Sequence, residues 1–418
     1  MTEFNGRNAN RGSCLIMGLG HTGCRVLESL AILKGYSDID SVAIDTDSSD
    51  LSNLSSLGVR TLLLGSESVG RHGTGGDQEQ AMHIIMDAHD AVRKELAARR
   101  MLILVAALGG GTGGAAEEIL KLADECLLPT VFLAVMPFYF EPLERRRRAE
   151  ELLSQMDSHC QILVRVPNDK LLSQYAHSPA ADAFGRAADY LAKAAVCLAT
   201  PFASENLFNV APGIFNSMSA MDGNPRCLLA HVVCDSSDGM KDIKESLGRQ
   251  YVFEDKHLIK CIDRGVALLR LSPSCKESEM DFAVRQAMDM LPDAEIEVAV
   301  CVDREMTEFI SMTLLLHPSQ TAYAEEDEES EVENVAQEGD SEAESNDVQD
   351  DFMLPEPEMP APPSKHGRGK NVTSRQLQIQ FEEDELGVFA GDPKNEWNGS
   401  NIDIPVFKRL KITIDKGT

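Results

Sequence analysis

Residues 101–118 read MLILVAALGGGTGGAAEE. Met101–Ala107 is a continuous apolar run, the pattern of a strand buried on both faces. It is too short to span a bilayer. Ala115–Ala123 is built from good helix formers. Between them stands Gly109-Gly110-Gly111-Thr112-Gly113-Gly114. Consecutive glycines let several backbone N–H groups turn toward one anion without Cβ interference. The following helix N-terminus adds partial positive charge. A buried strand, a glycine loop and a helix together predict a layered α/β domain with a parallel sheet that binds phosphate at a strand end.

The same alternation runs outward in both directions. Toward the N-terminus, Cys14–Met17, Ser41–Ile44 and Arg60–Leu64 are expected strands. Helices are expected to begin at Val26 and to cover Gln78–Arg100. Toward the C-terminus, Pro129–Met136 and Gln161–Val166 are the next strands. Residues 180–200 are small and apolar nearly all round, which predicts a helix buried on several sides between two domains. A second module follows, with strands at Leu228–Cys234, Gly265–Leu271, Glu295–Val302 and Ser311–Leu316 and a helix at Met280–Met290. The expected organisation starts with a flexible tail at 1–12 and a nucleotide-binding α/β domain at 13–178. A central linking helix at 179–204 and a smaller α+β domain at 205–317 follow. A disordered acidic and Pro-rich linker at 318–400 leads to a docking tail at 401–418.

Two further glycine loops narrow the chemistry. Gly18–Gly23 reads GLGHTG between a strand and a helix, which fits the G-x-G-x-x-G dinucleotide fingerprint. Asp45 stands at a strand end downstream, where that fingerprint places an acid on a ribose. Alone, this loop leaves an NAD-dependent enzyme open. Gly70–Asp77, GRHGTGGD, leads into the next helix and is placed to cover a terminal phosphate. Three such loops imply a polyphosphate held largely by backbone. No Lys-Ser/Thr pair follows any of them, which excludes a P-loop.

Charge excludes other classes. The chain has 418 residues, 68 acidic and 39 basic, for a formal charge of −29. Such a balance argues against a nucleic-acid partner. Fourteen of the acids, and no Lys or Arg, lie between Glu325 and Asp351. This stretch cannot bury enough apolar surface to fold alone, and self-repulsion keeps it extended. The first six residues carry no readable secretory signal. The ten cysteines are scattered without a Cys-x-x-Cys pair and read as reduced thiols. His83 and His89 share a helix but face different sides, and no metal site is expected.

Gly109–Ala115, GGGTGGA, resembles the GGGTG(S/T)G signature of the tubulin/FtsZ family and departs from it at Ala115. The resemblance covers about 13–317, returns at the C-terminus, and is closest to the bacterial FtsZ branch. It implies a Rossmann-like GTPase domain with a parallel sheet, a central helix and a smaller α+β domain. Gly20, His21, Thr22, Gly23 and Cys24 match the family's first nucleotide loop. Asp45 matches its NTD turn, and Gly73, Thr74 and Gly75 its γ-phosphate loop. Gly109, Gly110, Gly111, Thr112, Gly113 and Gly114 form the signature itself. Pro137–Glu141 resembles PFxFE, which implies Glu141 on the ribose with Arg145 near it. The rest of Arg145–Arg148 reads as a solvated helix face. Asn168 belongs to PNDKLL, identical to the family's motif. Phe184 is implied to stack on guanine. The family reads the guanine edge with Asn or Asp four residues on, where this chain has Ala188 followed by Asp189.

The resemblance implies a GTP/GDP-binding protein, with Mg2+ admitted beside the nucleotide. It implies head-to-tail filaments for bacterial cell division, in the cytoplasm at the septal ring on the inner face of the membrane. In the family, the next subunit's N-x-D-x-x-D loop positions the attacking water. The matching segment here keeps Asn209 but has Ala211 for the first acid and Gly213-Ile214 near the second. A methyl group cannot orient water, so the hydrolytic rate is expected to fall by about 100-fold or more. Ile402, Asp403, Ile404, Pro405, Phe407 and Arg409 resemble the family's LDIPxFLR tail, which docks on membrane adaptors and regulators. The alternatives are a nucleotide-bound filament or scaffold without turnover and the NAD-dependent enzyme. The set of three loops opposes the latter.

Overall fold

A computed structural model describes residues 14–33, 40–70, 72–200, 206–208, 225–304, 306–319, 396–397 and 400–401. The candidate catalytic residues Asn209, Ala211, Gly213 and Ile214 lie outside them, as do the acidic stretch and the tail from Ile402 onward. The chain divides into Met1–Asn346 and Asp347–Thr418. In the second unit the described residues form one antiparallel pairing, Glu396–Trp397 with Ser400–Asn401.

The first unit holds the site. Its early strands are β1 (Cys14–Leu19), β2 (Asp40–Asp45), β3 (Arg60–Leu63), β4 (Met101–Ala107), β5 (Thr130–Val135) and β6 (Ile162–Val166). They lie parallel in the order 3-2-1-4-5-6. The sheet then continues through β8 (Arg226–Cys234), β11 (Ile310–Pro318), β9 (Ile262–Leu271) and β10 (Glu295–Val302) to β7 (Asn206–Phe208) at the far edge. β8 joins β6 in parallel, β11 runs antiparallel to both its neighbours, and β9 pairs with β10 in parallel. The result is one mostly parallel sheet of eleven strands.

Strand alternation sorts the core into layers. Cys14 and Ile16 of β1, with Met101, Ile103 and Val105 of β4, face α1 (Gly20–Ile32) and α8 (Ala180–Ala199). Leu15, Met17, Leu102 and Leu104 face the opposite layer. That layer is built by α3 (Gln78–Asp87), α4 (His89–Leu96), α5 (Ala116–Glu125) and α6 (Leu143–Gln155). With both faces covered, the strands read as continuous apolar runs. Each fully buried large aliphatic side chain contributes about 1.5–3 kcal/mol.

The central helix takes the place its composition predicts. Its C-terminal half, Ala192 and Ala194–Ala199, is buried on every side. α8 packs on α1, β1 and β4, and also on β8, β9 and β11. Alanines keep its surface low enough for backbone to approach closely on all of them. One expected element is divided. Gln78–Arg100 is two helices that break at Ala88, whose φ and ψ of −97° and 11° leave helical geometry. The break lets α3 meet the turn Gly113–Ala115 while α4 packs on α5.

Candidate functional site

The strand order reverses direction between β1 and β4. α1 leaves β1 toward one face and α5 leaves β4 toward the other, so a crevice opens beyond the strand ends. A cavity of about 570 Å3 occupies it. The loops after β1, β2 and β4, the segment His72–Gly76 and the start of α6 line this cavity.

Close backbone approach explains the glycines. Gly20 has φ +70°, and a Cβ there would stand 2.9 Å from the Gly113 nitrogen. The loops after β1 and β4 therefore touch through backbone. At Gly111 a Cβ would overlap the Thr74 hydroxyl and crowd Gly76. Gly73, Gly75 and Gly76 all take left-handed φ values. α1 starts without a side-chain cap, and Gly20, His21 and Thr22 of its first turn line the cavity.

Asp45 lines the cavity, but its carboxylate is already engaged. It accepts from the Thr112 hydroxyl at 2.9 Å and from the backbone N–H groups of Thr46 and Asp47 at 2.7 and 3.3 Å. Thr46 Oγ1 and Thr112 Oγ1 lie 2.8 Å apart. Burial pushes the Asp45 carboxyl above the usual carboxylate range, and these hydrogen bonds oppose that shift. The acid expected on a ribose thus clamps the loop after β2 to the loop after β4. Cys24 is buried beneath them, with its thiol 3.9 Å from Asp45 Oδ2, and does not line the cavity. Burial raises its thiol pKa, so it stays a neutral filler. Gly23 packs against Gly18 and Val105 rather than on the cavity.

The third loop closes the far side. Asp47 pairs with His72 as a short bridge and also caps α2 (Ser48–Ser56) by accepting from Ser49 N–H at 2.8 Å. Hydrogen bonds from Ser49 hold the Asp47 carboxyl below the usual range. Asp77 caps α3 through Gln80 N–H at 2.9 Å. His21 Nδ1 lies 3.0 Å from Asp50 Oδ1 at the rim.

On the α6 side, Glu141 accepts from Phe138 N–H at 2.9 Å and pairs with Arg145 at 2.9 Å. The Arg145 guanidinium lies over Gly110. Glu141 itself does not reach the cavity lining. Arg145 does, and so do Pro142, Glu144 and Arg148. Sequence reasoning left Arg148 on a solvated face. Its spacing of three from Arg145 was the signal that both share one helix face. Asp50 was missed too, because nothing local links α2 to His21.

Five more expected residues stand away from the lining. Asn168 opens α7 (Asn168–Ser173), where the adjoining Asp169 accepts from Tyr139 N–H at 2.9 Å and tethers the aromatic loop. Phe184 is half-exposed and meets Phe138 edge-on at 5.6 Å. Ala188 packs into the core, and Asp189 accepts from Ser29 on α1. Gly114 abuts Gln78 at the base of α3. Gly20, His21, Thr22, Gly73, Thr74, Gly75, Gly109, Gly110, Gly111, Thr112 and Gly113 all line one cavity.

A family model described as "Tubulin/FtsZ family, GTPase domain" matches residues 13–176. Residues 13–176 are a tubulin/FtsZ-family GTPase domain. This FtsZ-like chain is 28% identical over 320 residues to the cell division protein FtsZ of Methanothermobacter thermautotrophicus, covering 75% of the chain and 81% of the relative. The FtsZ of Helicobacter pylori is 29% identical over 159 residues, 38% of the chain and 41% of the relative. The fold is similar to an empty FtsZ dimer of M. jannaschii. The TM-score is 0.62 at 20% identity, over 74% of this chain and 89% of that one. It is also similar to a GTPγS-bound protofilament of CetZ2 from Haloferax volcanii. There the TM-score is 0.57 at 20% identity, over 78% and 99% of the two chains. All ten cysteines are free thiols. Among the described residues no helix is long and apolar enough to cross a membrane, and no His/Cys/Asp/Glu group is arranged to hold a metal ion.

Proposed function

We propose that this chain binds GTP and GDP in the β1/β4 crevice and assembles head to tail into cell-division filaments. One observation carries the reading: three glycine segments and Arg145 converge on a single cavity at the carboxyl ends of parallel strands. Backbone N–H groups and the uncapped start of α1 suit a polyphosphate, and Gly111 is a position that a side chain would block. The residues present therefore fit a nucleoside triphosphate, accompanied by Mg2+. Gly20–Thr22, Gly73–Gly75 and Gly109–Gly113 hold the phosphates, while Glu141 and Arg145 flank the ribose. Phe184, Asn168, Ala188 and Asp189 stand for the base end.

An FtsZ dimer and a CetZ2 protofilament among the fold's neighbours support self-association. A head-to-tail interface that does not close makes an open filament. The division of labour proposed is a GTPase domain at 13–178, a linking helix at 179–204, an α+β domain at 205–317, an acidic spacer and a docking tail for a membrane adaptor or regulator. The site of action is the cytoplasmic face of the dividing membrane. Ala211 in place of an acid favours slow hydrolysis and long-lived filaments, and a scaffold without turnover is its limiting form.

Sedimentation and electron microscopy with GTP, GDP and no nucleotide test assembly. GTP-dependent filaments are expected, and their absence sinks the filament reading. Phosphate release measured against protein concentration tests turnover. Rapid release that climbs with concentration refutes the slow-hydrolysis claim.

A further inference from the structure

Four acids and two arginines line the cavity: Asp45, Asp47, Asp50 and Glu144 against Arg145 and Arg148. Acids outnumber arginines, although the proposed ligand is a polyanion. Asp45, Asp47 and Asp50 come from β2 and the start of α2, whereas both arginines come from α6. The cavity thus has an acidic wall and a basic wall.

The two arginines are not equivalent. Arg145 is partly neutralised by its 2.9 Å pair with Glu141, one turn earlier on the chain. Its guanidinium is also packed over Gly110, where a Cβ would sit 3.4 Å from Nη2. Arg148 follows one helical turn on, on the same face. No carboxylate among the described residues lies within ion-pair distance of it, Glu144 included. It is exposed at the cavity edge with its charge uncompensated. An arginine fork presents five donors and recognises phosphate in two-point fashion.

We propose that Arg148 is a second phosphate-facing cation, one that sets how strongly the site prefers phosphorylated nucleotides over the bare nucleoside. This rests on the nucleotide reading given above. Arg145 supplies a charge that is shared with Glu141, and Arg148 supplies the one that the incoming phosphates do not share with an acid. Arg148 acts by binding, and no bond is made or broken at it.

The full-length chain is titrated with GTP, GDP and guanosine by displacement of a fluorescent GTP analogue, as wild type, Arg148→Ala, Arg148→Lys and Arg147→Ala. Arg147 adjoins Arg148 on α6 but does not line the cavity. Loss of a hydrogen-bonded charge is expected to weaken GTP and GDP by about tenfold in Arg148→Ala. Guanosine affinity should not move. Lysine should restore part of the loss, and Arg147→Ala should bind like wild type. The GTP affinity of Arg148→Ala should also respond less to added KCl, because an exposed charge is screened by salt. Equal weakening of guanosine, no weakening at all, or an equal loss in Arg147→Ala overturns the assignment. If wild type holds none of the three ligands, the nucleotide reading itself fails. Melting curves of Arg148→Ala and Arg148→Lys that match wild type keep the comparison free of folding effects.

Discussion

β1 and β4 contain only apolar residues, and the polar groups near them begin where the strands end, at Asp45, Thr46 and Thr112. In β8, β9 and β11 the polar groups lie within the strands: His231, Arg270, Ser311 and Thr313 are all buried. His231 and Thr313 sit opposite each other in the β8–β11 register, with Nδ1 and Oγ1 2.8 Å apart. Ser311 opposes Arg270, which donates from Nε to Asp303 at 2.8 Å. Ser311 also meets Cys197 of α8 at 3.2 Å, and Lys193 of α8 pairs with Glu308 at 3.3 Å. Polar groups at strand ends border a cavity and tie its loops together. Polar groups inside strands must satisfy one another, because no water reaches them. The first region spends polarity on a site, and the second spends it on a seam with the central helix.

The largest expected effect falls on the seam. Arg270→Ala removes a buried side chain and its hydrogen bonds to Asp303, and should lower stability by about 3–5 kcal/mol in urea unfolding. Nucleotide affinity of the remaining folded protein should stay unchanged. A parallel fall in GTP affinity would break the separation between seam and site. A smaller stability loss is expected at the site. Gly109 has φ +81°, and a Cβ there would stand 2.6 Å from the Arg145 carbonyl oxygen. Gly109→Ala should cost about 2–3 kcal/mol and weaken GTP binding more than Arg270→Ala does.

Asp45→Asn sharpens the contrast further. The amide can still accept from Thr112 but loses charge-assisted bonds to the two backbone N–H groups, a loss of about 1–2 kcal/mol. Calorimetric GTP binding should weaken with it, since the clamp between the loops after β2 and β4 loosens. The smallest effect is a pH slope. Burial, aided by Lys193, pushes the His231 pKa down to about 3. The unfolded chain takes up that proton below about pH 6.5, and the folded chain does not until far lower. This group's contribution is therefore complete above about pH 6.5 and declines as pH falls toward 3. Between pH 7.5 and 5.5 wild type should lose about 1 kcal/mol that His231→Asn, which keeps a partner for Thr313, does not lose. Equal slopes in the two proteins would place the seam in contact with water.

The glycine segments were legible because their chemistry is local. A run such as Gly109–Gly114 states its own backbone freedom, and the strands and helices around it state their periods. Arg148 was less legible, since a run of four arginines hides which one turns inward. The break at Ala88 was not legible at all. Ala88 is a good helix former, and only the two separate packing surfaces met by α3 and α4 require the turn. Asp45 was legible as an acid at a strand end, while its three internal donors come from Thr46, Asp47 and the distant Thr112.

By itself, the amino-acid sequence determined the α/β class, the three glycine loops, the buried central helix and the acid-rich stretch Glu325–Asp351, since each depends on neighbours within one turn or one strand. Tertiary structure decided which of those residues share a cavity, which acid is consumed as a clamp, and which arginine reaches the rim. Those outcomes depend on the 3-2-1-4-5-6 strand order, which brings the ends of β1, β2 and β4 together from positions far apart in the chain. The order follows from packing helices on both faces of one sheet, a condition that no short segment can express.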